Sequence, residues 1–257
     1  LTFREPYGVV ARISSYNHPV LYMAKALGAP LIAGNSVVVK PSPLAPLSAM
    51  LLTDIVRTIL PPGLLNLVNG RVETGRSLVS DPSVRRISFT GSLRSGLSAS
   101  RDAGAQHVKE MTLETGGKNV IIVFADSDIE KSAHGVVAGM HFNTTAGQSC
   151  TSTSRLLVEA SVQDEVLELV RAEVERIRIG DPLDPLCEMG PVISEQQLER
   201  IESYVAGGLA AGAEVVCGGH RPQGDLAAGW YYRPTVLKNV SPDSRAAREE
   251  IFGHVLA

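Results

Sequence analysis

Gly8-Val9-Val10-Ala11-Arg12-Ile13, running directly into Ser14-Ser15-Tyr16-Asn17-His18-Pro19, decides how the chain is read. The first six residues are mostly apolar and partly β-branched, the composition of a buried strand. The next five favour a turn. Pro19 suits a first helical turn, because its missing N–H would have no partner there in any case. Residues 20–31 continue as a mostly apolar helix. The stretch is thus a strand–turn–helix unit.

Working outward, the same unit returns. Residues 36–40 read as a second short strand, Pro41, Pro43 and Pro46 break the chain, and residues 47–60 read as an amphipathic helix. Pro61-Pro62-Gly63 is a strong turn signal. A third strand over 64–68 closes at Asn69-Gly70, and a helix spans 74–79. A fourth strand over 86–89 and a fourth helix over 91–103 follow. Strand and helix alternating at this pitch imply parallel pairing through crossover helices, hence an α/β fold with a doubly wound, mostly parallel sheet.

Beyond residue 104 the rhythm changes. Residues 107–113 and 119–124 read as strands separated by Glu114-Thr115-Gly116-Gly117-Lys118. Helices are expected over 129–142, 162–177 and 194–211, the last capped by Ser194. Strands are expected over 155–159, 215–217 and 232–237. Pro234 inside the last points to an edge strand or an irregular start. The break in alternation divides the chain into a first domain, 1–117, and a second α/β domain, 118–257.

The 257 residues suffice for one large or two ordinary domains, and 44% hydrophobic with 20% charged residues is usual for a globular protein. A net charge of -3 offers no basic footprint for nucleic acid. No apolar run reaches membrane-spanning length and no secretory leader is present, so no membrane association and a cytoplasmic location are expected. Cys150, Cys187 and Cys217 form no C-x-x-C pair, which indicates a reducing compartment and no structural zinc. The chain starts at Leu1 in a strand-like run and stops within the apolar Val255-Leu256-Ala257, as expected of a fragment.

Several residues can carry chemistry, each with a plainer reading beside it. Cys150, in Gly147-Gln148-Ser149-Cys150, is a potential nucleophile among small residues, although free cysteine is more often a small buried hydrophobe. Asn17 is a turn residue or cap, or else an amide donor to an oxyanion at the carboxyl end of a strand. Lys40 is a solvated strand end, or a donor to a ribose or phosphate. Phe89-Thr90-Gly91-Ser92 is an ordinary tight turn, or a helix N-terminus that receives a pyrophosphate. Glu114 is a surface acid, or a partly desolvated carboxylate with its pKa raised towards that of a general base.

Taken in order, the motifs resemble the aldehyde dehydrogenase superfamily from about Pro6 to the last residue. They are Asn17-x-Pro19, Ala33-Gly34-Asn35 leading to Lys40-Pro41-Ser42, Pro61-Pro62-Gly63, Phe89-Thr90-Gly91-Ser92, Glu114-x-Gly116-Gly117-Lys118, Gly147-Gln148-x-Cys150 and Glu249-Glu250-Ile251-Phe252-Gly253. The resemblance implies an incomplete Rossmann-like NAD(P)-binding domain followed by an incomplete catalytic domain, together about the middle half of a subunit. It implies oxidation of a small-molecule aldehyde to an acid with NAD or NADP, in a homodimer or homotetramer. Cys150 takes the place of the nucleophile, Asn17 with the Cys150 N–H that of the oxyanion hole, and Glu114 that of the base. Lys40 corresponds to the residue at the adenosine ribose, Gly70 to the adenine side, Ser92 and the helix behind it to the pyrophosphate contact, and Ser42 and Gly91 to further cofactor-binding positions. Thr90 corresponds to the nicotinamide, and Glu250 and Phe252 to its ribose.

Departures from the family pattern carry information. Pro43 stands where an acidic residue often holds the adenosine 2′-hydroxyl, which opens the site to NADP. Tyr16 and His18 replace a more frequent Trp and Phe and imply an altered substrate preference. Thr115 replaces a common Leu and His254 a common Pro, and neither has a role on sequence grounds. Two other classes compete: a non-catalytic nucleotide-binding relative, and a cofactor-free cysteine hydrolase, which lacks an evident histidine partner for Cys150.

Overall fold

The computed structural model describes residues 1–257, which form two compact units, Leu1–Gly116 and Gly117–Ala257. In the first unit the elements run β1 (Val9–Ile13), α1 (Pro19–Ile32), β2 (Ser36–Lys40), α2 (Leu47–Arg57), β3 (Leu65–Leu67), α3 (Val72–Ser80), β4 (Val84–Thr90), α4 (Leu93–Gly104) and β5 (Glu110–Glu114). All the strands are parallel, in the order β3-β2-β1-β4-β5. The α/β class with a mostly parallel sheet is therefore as read from the sequence.

Each face of this sheet buries its own apolar layer. Val37, Val39 and Leu65 pack with Met23, Ala26 and Ala49 from α1 and α2. Ala11 and Ile87 pack with Val79 and Ala103 from α3 and α4. Alternate strand residues point to opposite faces, so the valine run of β2 can serve a sheet covered on both sides. The chain winds one way from β1 through β2 to β3, then the other way from β4 to β5. The order reverses at β1/β4, the position where open parallel sheets bind ligands beyond their carboxyl ends.

The second unit runs β6 (Val120–Val123), α5 (Ile129–Gly139), α6 (Phe142–Thr145), β7 (Arg155–Val158), α7 (Gln163–Glu175), α8 (Glu195–Ala210), β8 (Glu214–Cys217), β9 (Thr235–Lys238), α9 (Arg245–Arg248) and β10 (Val255–Leu256). β6 pairs parallel with β7, and β9 lies between a parallel β10 and an antiparallel β8. Leu156 N–H donates to Ala257 O at 2.9 Å and Ala257 N–H to Ser154 O at 3.1 Å, so backbone pairing continues from β7 to the residue after β10. Met140, Phe142, Val166 and Val170 lie at the centre of one core, and Leu198, Ile201 and Ile251 at that of another.

Four expectations are corrected. Glu114 is the last residue of β5, in register with Thr90, rather than part of a turn. Pro234 does not mark an edge, because β9 is a central strand; it lies just before that strand, which begins only at Thr235, in line with the other reading, an irregular start. α2 ends at Arg57, three residues early, because Thr58, Ile59 and Leu60 tighten into turns on Ile55 O and Val56 O. The first six residues form no strand, and Leu1 and Phe3 are exposed. No helix is long and apolar enough to cross a membrane.

Candidate functional site

In the first unit the candidate residues gather at the carboxyl ends of β1, β2 and β4. The loop after β1 carries Asn17 to the start of α1, where Pro19 occupies the first helical position. Both amide atoms of Asn17 are buried, and neither has a hydrogen-bond partner. A buried idle amide costs about 1–3 kcal/mol. The amide does not act as a cap, and no side-chain cap bonds the start of α1.

At the end of β4, Thr90 is buried and Gly91 turns the chain into α4. A Cβ on Gly91 would meet the Phe89 ring at 2.9 Å, so a larger residue would have to displace that ring. Gly91 N–H donates to Glu114 O at 3.1 Å, tying the turn to the end of β5. Ser92 caps α4 by accepting from Ser95 N–H at 3.2 Å. The N–H groups of Leu93 and Arg94, ahead of this cap, have no partner within the helix, as at any helix N-terminus, and such an end favours an anion.

Lys40 is buried at the end of β2, with Nζ donating to Pro41 O at 3.3 Å, and burial lowers its pKa. Ser42 Oγ accepts from Leu44 N–H at 3.3 Å and shapes the turn that holds the exposed Pro43. Gly70 has φ +157, and a Cβ there would clash with the Thr74 side chain. Glu114 is exposed, so the desolvation expected for it is absent. Its neighbour Arg12 was passed over in the sequence. Arg12 hydrogen-bonds Ser88 and, at 3.3 Å, Thr90 Oγ1, and its guanidinium lies 5.8 Å from the Tyr22 ring centroid. Burial lowers the Arg12 pKa, against the opposing pull of Tyr22 and Glu114.

In the second unit Cys150 is half-buried at the end of a tightly wound loop. His141 and Ala146 adopt left-handed conformations (φ 55 and 51) on either side of α6. Gly147 follows at φ +70, and a Cβ there would lie 2.5 Å from Gly253 O, so only glycine fits. Asn119 Nδ2 donates to Cys150 O at 2.7 Å and to Ser152 O at 3.2 Å, fixing the loop from the start of β6. The N–H groups of Ser149, Thr151 and Ser152 all have acceptors within the loop, whereas that of Cys150 has none. The free N–H beside the sulfur is a second idle donor.

Residues 249–253 are held by α8. Gln197 Nε2 donates to Phe252 O at 2.7 Å and to Ile251 O at 3.1 Å, and Arg200 donates to Glu250 O at 2.6 Å and to Ile251 O at 3.2 Å. These bonds hold Phe252 at φ 59, a strained value for a bulky residue. The Glu250 carboxylate accepts from Gly117 N–H at 3.3 Å. Burial raises its pKa, with Gly117, Arg200 and Lys118 opposing. Lys118 Nζ is buried without a partner, and burial, aided by Arg155, lowers its pKa to about 8. Asn119, Gln197, Arg200 and Lys118 carried no local signal of these roles. Their partners are mostly carbonyls and charges far away in the chain.

Residues 1–257 match the aldehyde dehydrogenase family throughout. The chain is 40% identical to aldehyde dehydrogenase tropH of Talaromyces stipitatus, covering 100% of this chain and 50% of that protein. It is also 40% identical to the chloroplastic betaine aldehyde dehydrogenase of Amaranthus hypochondriacus, covering 98% and 50%. Among solved structures, betaine aldehyde dehydrogenase from Staphylococcus aureus in complex with NAD+ superposes with a TM-score of 0.92 at 35% identity, over 98% of this chain and 50% of that one. The NAD-dependent aldehyde dehydrogenase from Sinorhizobium meliloti gives a TM-score of 0.92 at 38% identity, over 98% and 49%. The chain spans about half the length of the curated relatives it matches. On the match over its whole length, the chain belongs to the aldehyde dehydrogenase family.

Proposed function

We propose that the protein carrying this chain oxidises an aldehyde to a carboxylic acid with NAD or NADP, through a thioester on Cys150. The observation that carries this reading is the Asn17 amide, buried with both polar atoms idle. Such a group is retained at a cost unless a ligand uses it, and a preorganised donor to a developing oxyanion is worth about 3 kcal/mol in the transition state.

The residues fit a dinucleotide. The capped N-terminus of α4 suits a pyrophosphate, buried Lys40 and Ser42 at the end of β2 suit the adenosine ribose, and Gly70 suits the adenine side. In the second unit the half-buried Glu250 carboxylate and the strained Phe252 suit the nicotinamide ribose, and Thr90 in the first unit suits the nicotinamide itself. When bound, the nicotinamide supplies the hydride acceptor.

The chain's own groups account for the remaining steps. The Cys150 thiolate adds to the aldehyde carbon, and the carbonyl oxygen takes the electron pair as an oxyanion. Asn17 Nδ2 and the Cys150 N–H donate to that oxygen. Loss of hydride from the same carbon leaves a thioester. Glu114 takes a proton from water, the hydroxide so formed attacks the thioester, and the acid leaves as Cys150 regains its thiolate. The exposure of Glu114 suits a base that must reach water. A carboxylate here favours hydrolysis over acyl transfer to a thiol cofactor.

Because relatives include enzymes named for betaine aldehyde, that aldehyde belongs in a first substrate panel beside aliphatic, aromatic and semialdehyde compounds. Pro43 leaves no carboxylate to repel a 2′-phosphate, so NADP is accepted as well as NAD. The deciding experiment measures reduced nucleotide formed by the whole protein carrying these residues. Cys150→Ala abolishes it, and undiminished turnover in that variant would overturn the mechanism.

A further inference from the structure

His254 is a buried ionisable side chain that the reaction above does not use. It is 1% exposed and immediately precedes β10, where a proline would leave no side-chain donor. Its Nδ1 lies 3.1 Å from Ala146 O, and Nε2 makes no hydrogen bond. Burial lowers its pKa to about 4, against the pull of the Ala146 and Tyr232 carbonyls, so the ring is neutral at neutral pH. A carbonyl only accepts, so the tautomer that bonds Ala146 O is the one with its proton on Nδ1, while the Tyr232 carbonyl also acts on the ring. The Tyr232 ring lies against the imidazole with centroids 5.9 Å apart and holds its orientation.

The acceptor matters. Ala146 is left-handed, a costly state for a residue with a Cβ, and it opens the Ala146-Gly147-Gln148-Ser149 turn that presents Cys150. Gly147 packs against Gly253 and the His254 backbone so closely that no side chain fits. On its other side the turn is held by Gln148, whose Oε1 accepts from Ile193 N–H at 3.2 Å. The residues that carry Glu250 and Phe252 and the turn that carries Cys150 are thus joined through one side-chain hydrogen bond.

We infer that His254 is a positioning residue for the nucleophile: its Nδ1–H holds the Ala146 carbonyl, and through it the turn that sets the exposure and direction of the Cys150 sulfur. This rests on Cys150 being the nucleophile, but its test does not use turnover. In the whole protein, the iodoacetamide labelling rate of Cys150 is followed by peptide mass spectrometry, with a cooperative melt as the check on folding. His254→Phe keeps a ring against Tyr232 and removes the donor, and it changes the labelling rate at least fivefold. His254→Asn keeps an N–H at the same place along the side chain and stays within twofold of the parent. Should the Phe variant not melt cooperatively, His254→Leu takes its place. Labelling of the donor-free variant at the parent rate would overturn the inference, as would an Asn variant displaced as far as it. Retained activity in Cys150→Ala would instead defeat the proposed function and leave these rates to stand as measured.

Discussion

Asn17 and Asn119 carry the same amide, and the chain treats them in opposite ways. Asn119, just before β6, spends its Nδ2 on the carbonyls of Cys150 and Ser152. Asn17, in the loop after β1, has both amide atoms buried and spends neither. A satisfied buried amide contributes to stability, whereas an unsatisfied one subtracts from it. The difference separates a residue that braces the Cys150 loop from one that, on the function proposed, is left to meet a ligand. His254 lies between the two, with one ring nitrogen engaged and the other idle.

The contrast can be broken by substitution, and the largest effect belongs to Asn17→Asp. It removes the donor and sets a negative charge against a developing oxyanion, so kcat falls by about 10³ or more; a loss under tenfold in steady-state kinetics would erase the distinction. His254 comes next, through acid. Its folded pKa of about 4 lies below the ordinary 6.5, so the unfolded chain binds more protons between those values. The contribution is whole above pH 6.5 and is lost as pH falls towards 4, a window worth about 3 kcal/mol. Denaturant titrations from pH 7 to 4 should therefore show a shallower loss of stability in His254→Phe than in the parent, and equal slopes would contradict it. Asn119→Ala leaves two carbonyls short of a donor and costs about 2 kcal/mol of stability, read from the denaturation midpoint. The smallest effect is Ser92→Ala, about 1 kcal/mol, since only the cap on Ser95 N–H is lost.

The parallel sheet was legible in the sequence because β1 and β2 are short β-branched runs, each followed by a turn and an apolar helix. Ser194 could be read as a cap because it accepts from Gln197 N–H, three residues on, at the head of α8. Capping is a local interaction, and local interactions leave local patterns. β10 left no such pattern, being two residues long and existing through pairing to β9, whereas α9 was missed for its length of four residues although Ser244 caps it by accepting from Ala247 N–H at 3.3 Å. Glu114 was misplaced because two glycines after it outweighed the strand register that pairs it with Thr90. Among the proposed site residues, those expected to meet a ligand stand out by type: a cysteine among small residues, an amide after a strand, a lysine at a strand end. Those that hold them do not. Arg12, Asn119, Gln197 and His254 act on partners tens of residues away, and nothing in a short window marks an arginine that meets Thr90 or a histidine that meets Ala146.

The most direct test of an amide reserved for ligand is Asn17→Ala in the whole protein, with thermal melting and steady-state kinetics on the same preparation. Removing an idle buried amide should leave Tm unchanged or raise it, while kcat falls about 10²–10³-fold, the loss of one oxyanion donor. A lowered Tm with kcat near the parent value would show that Asn17 holds the fold and not the substrate, and would contradict the account.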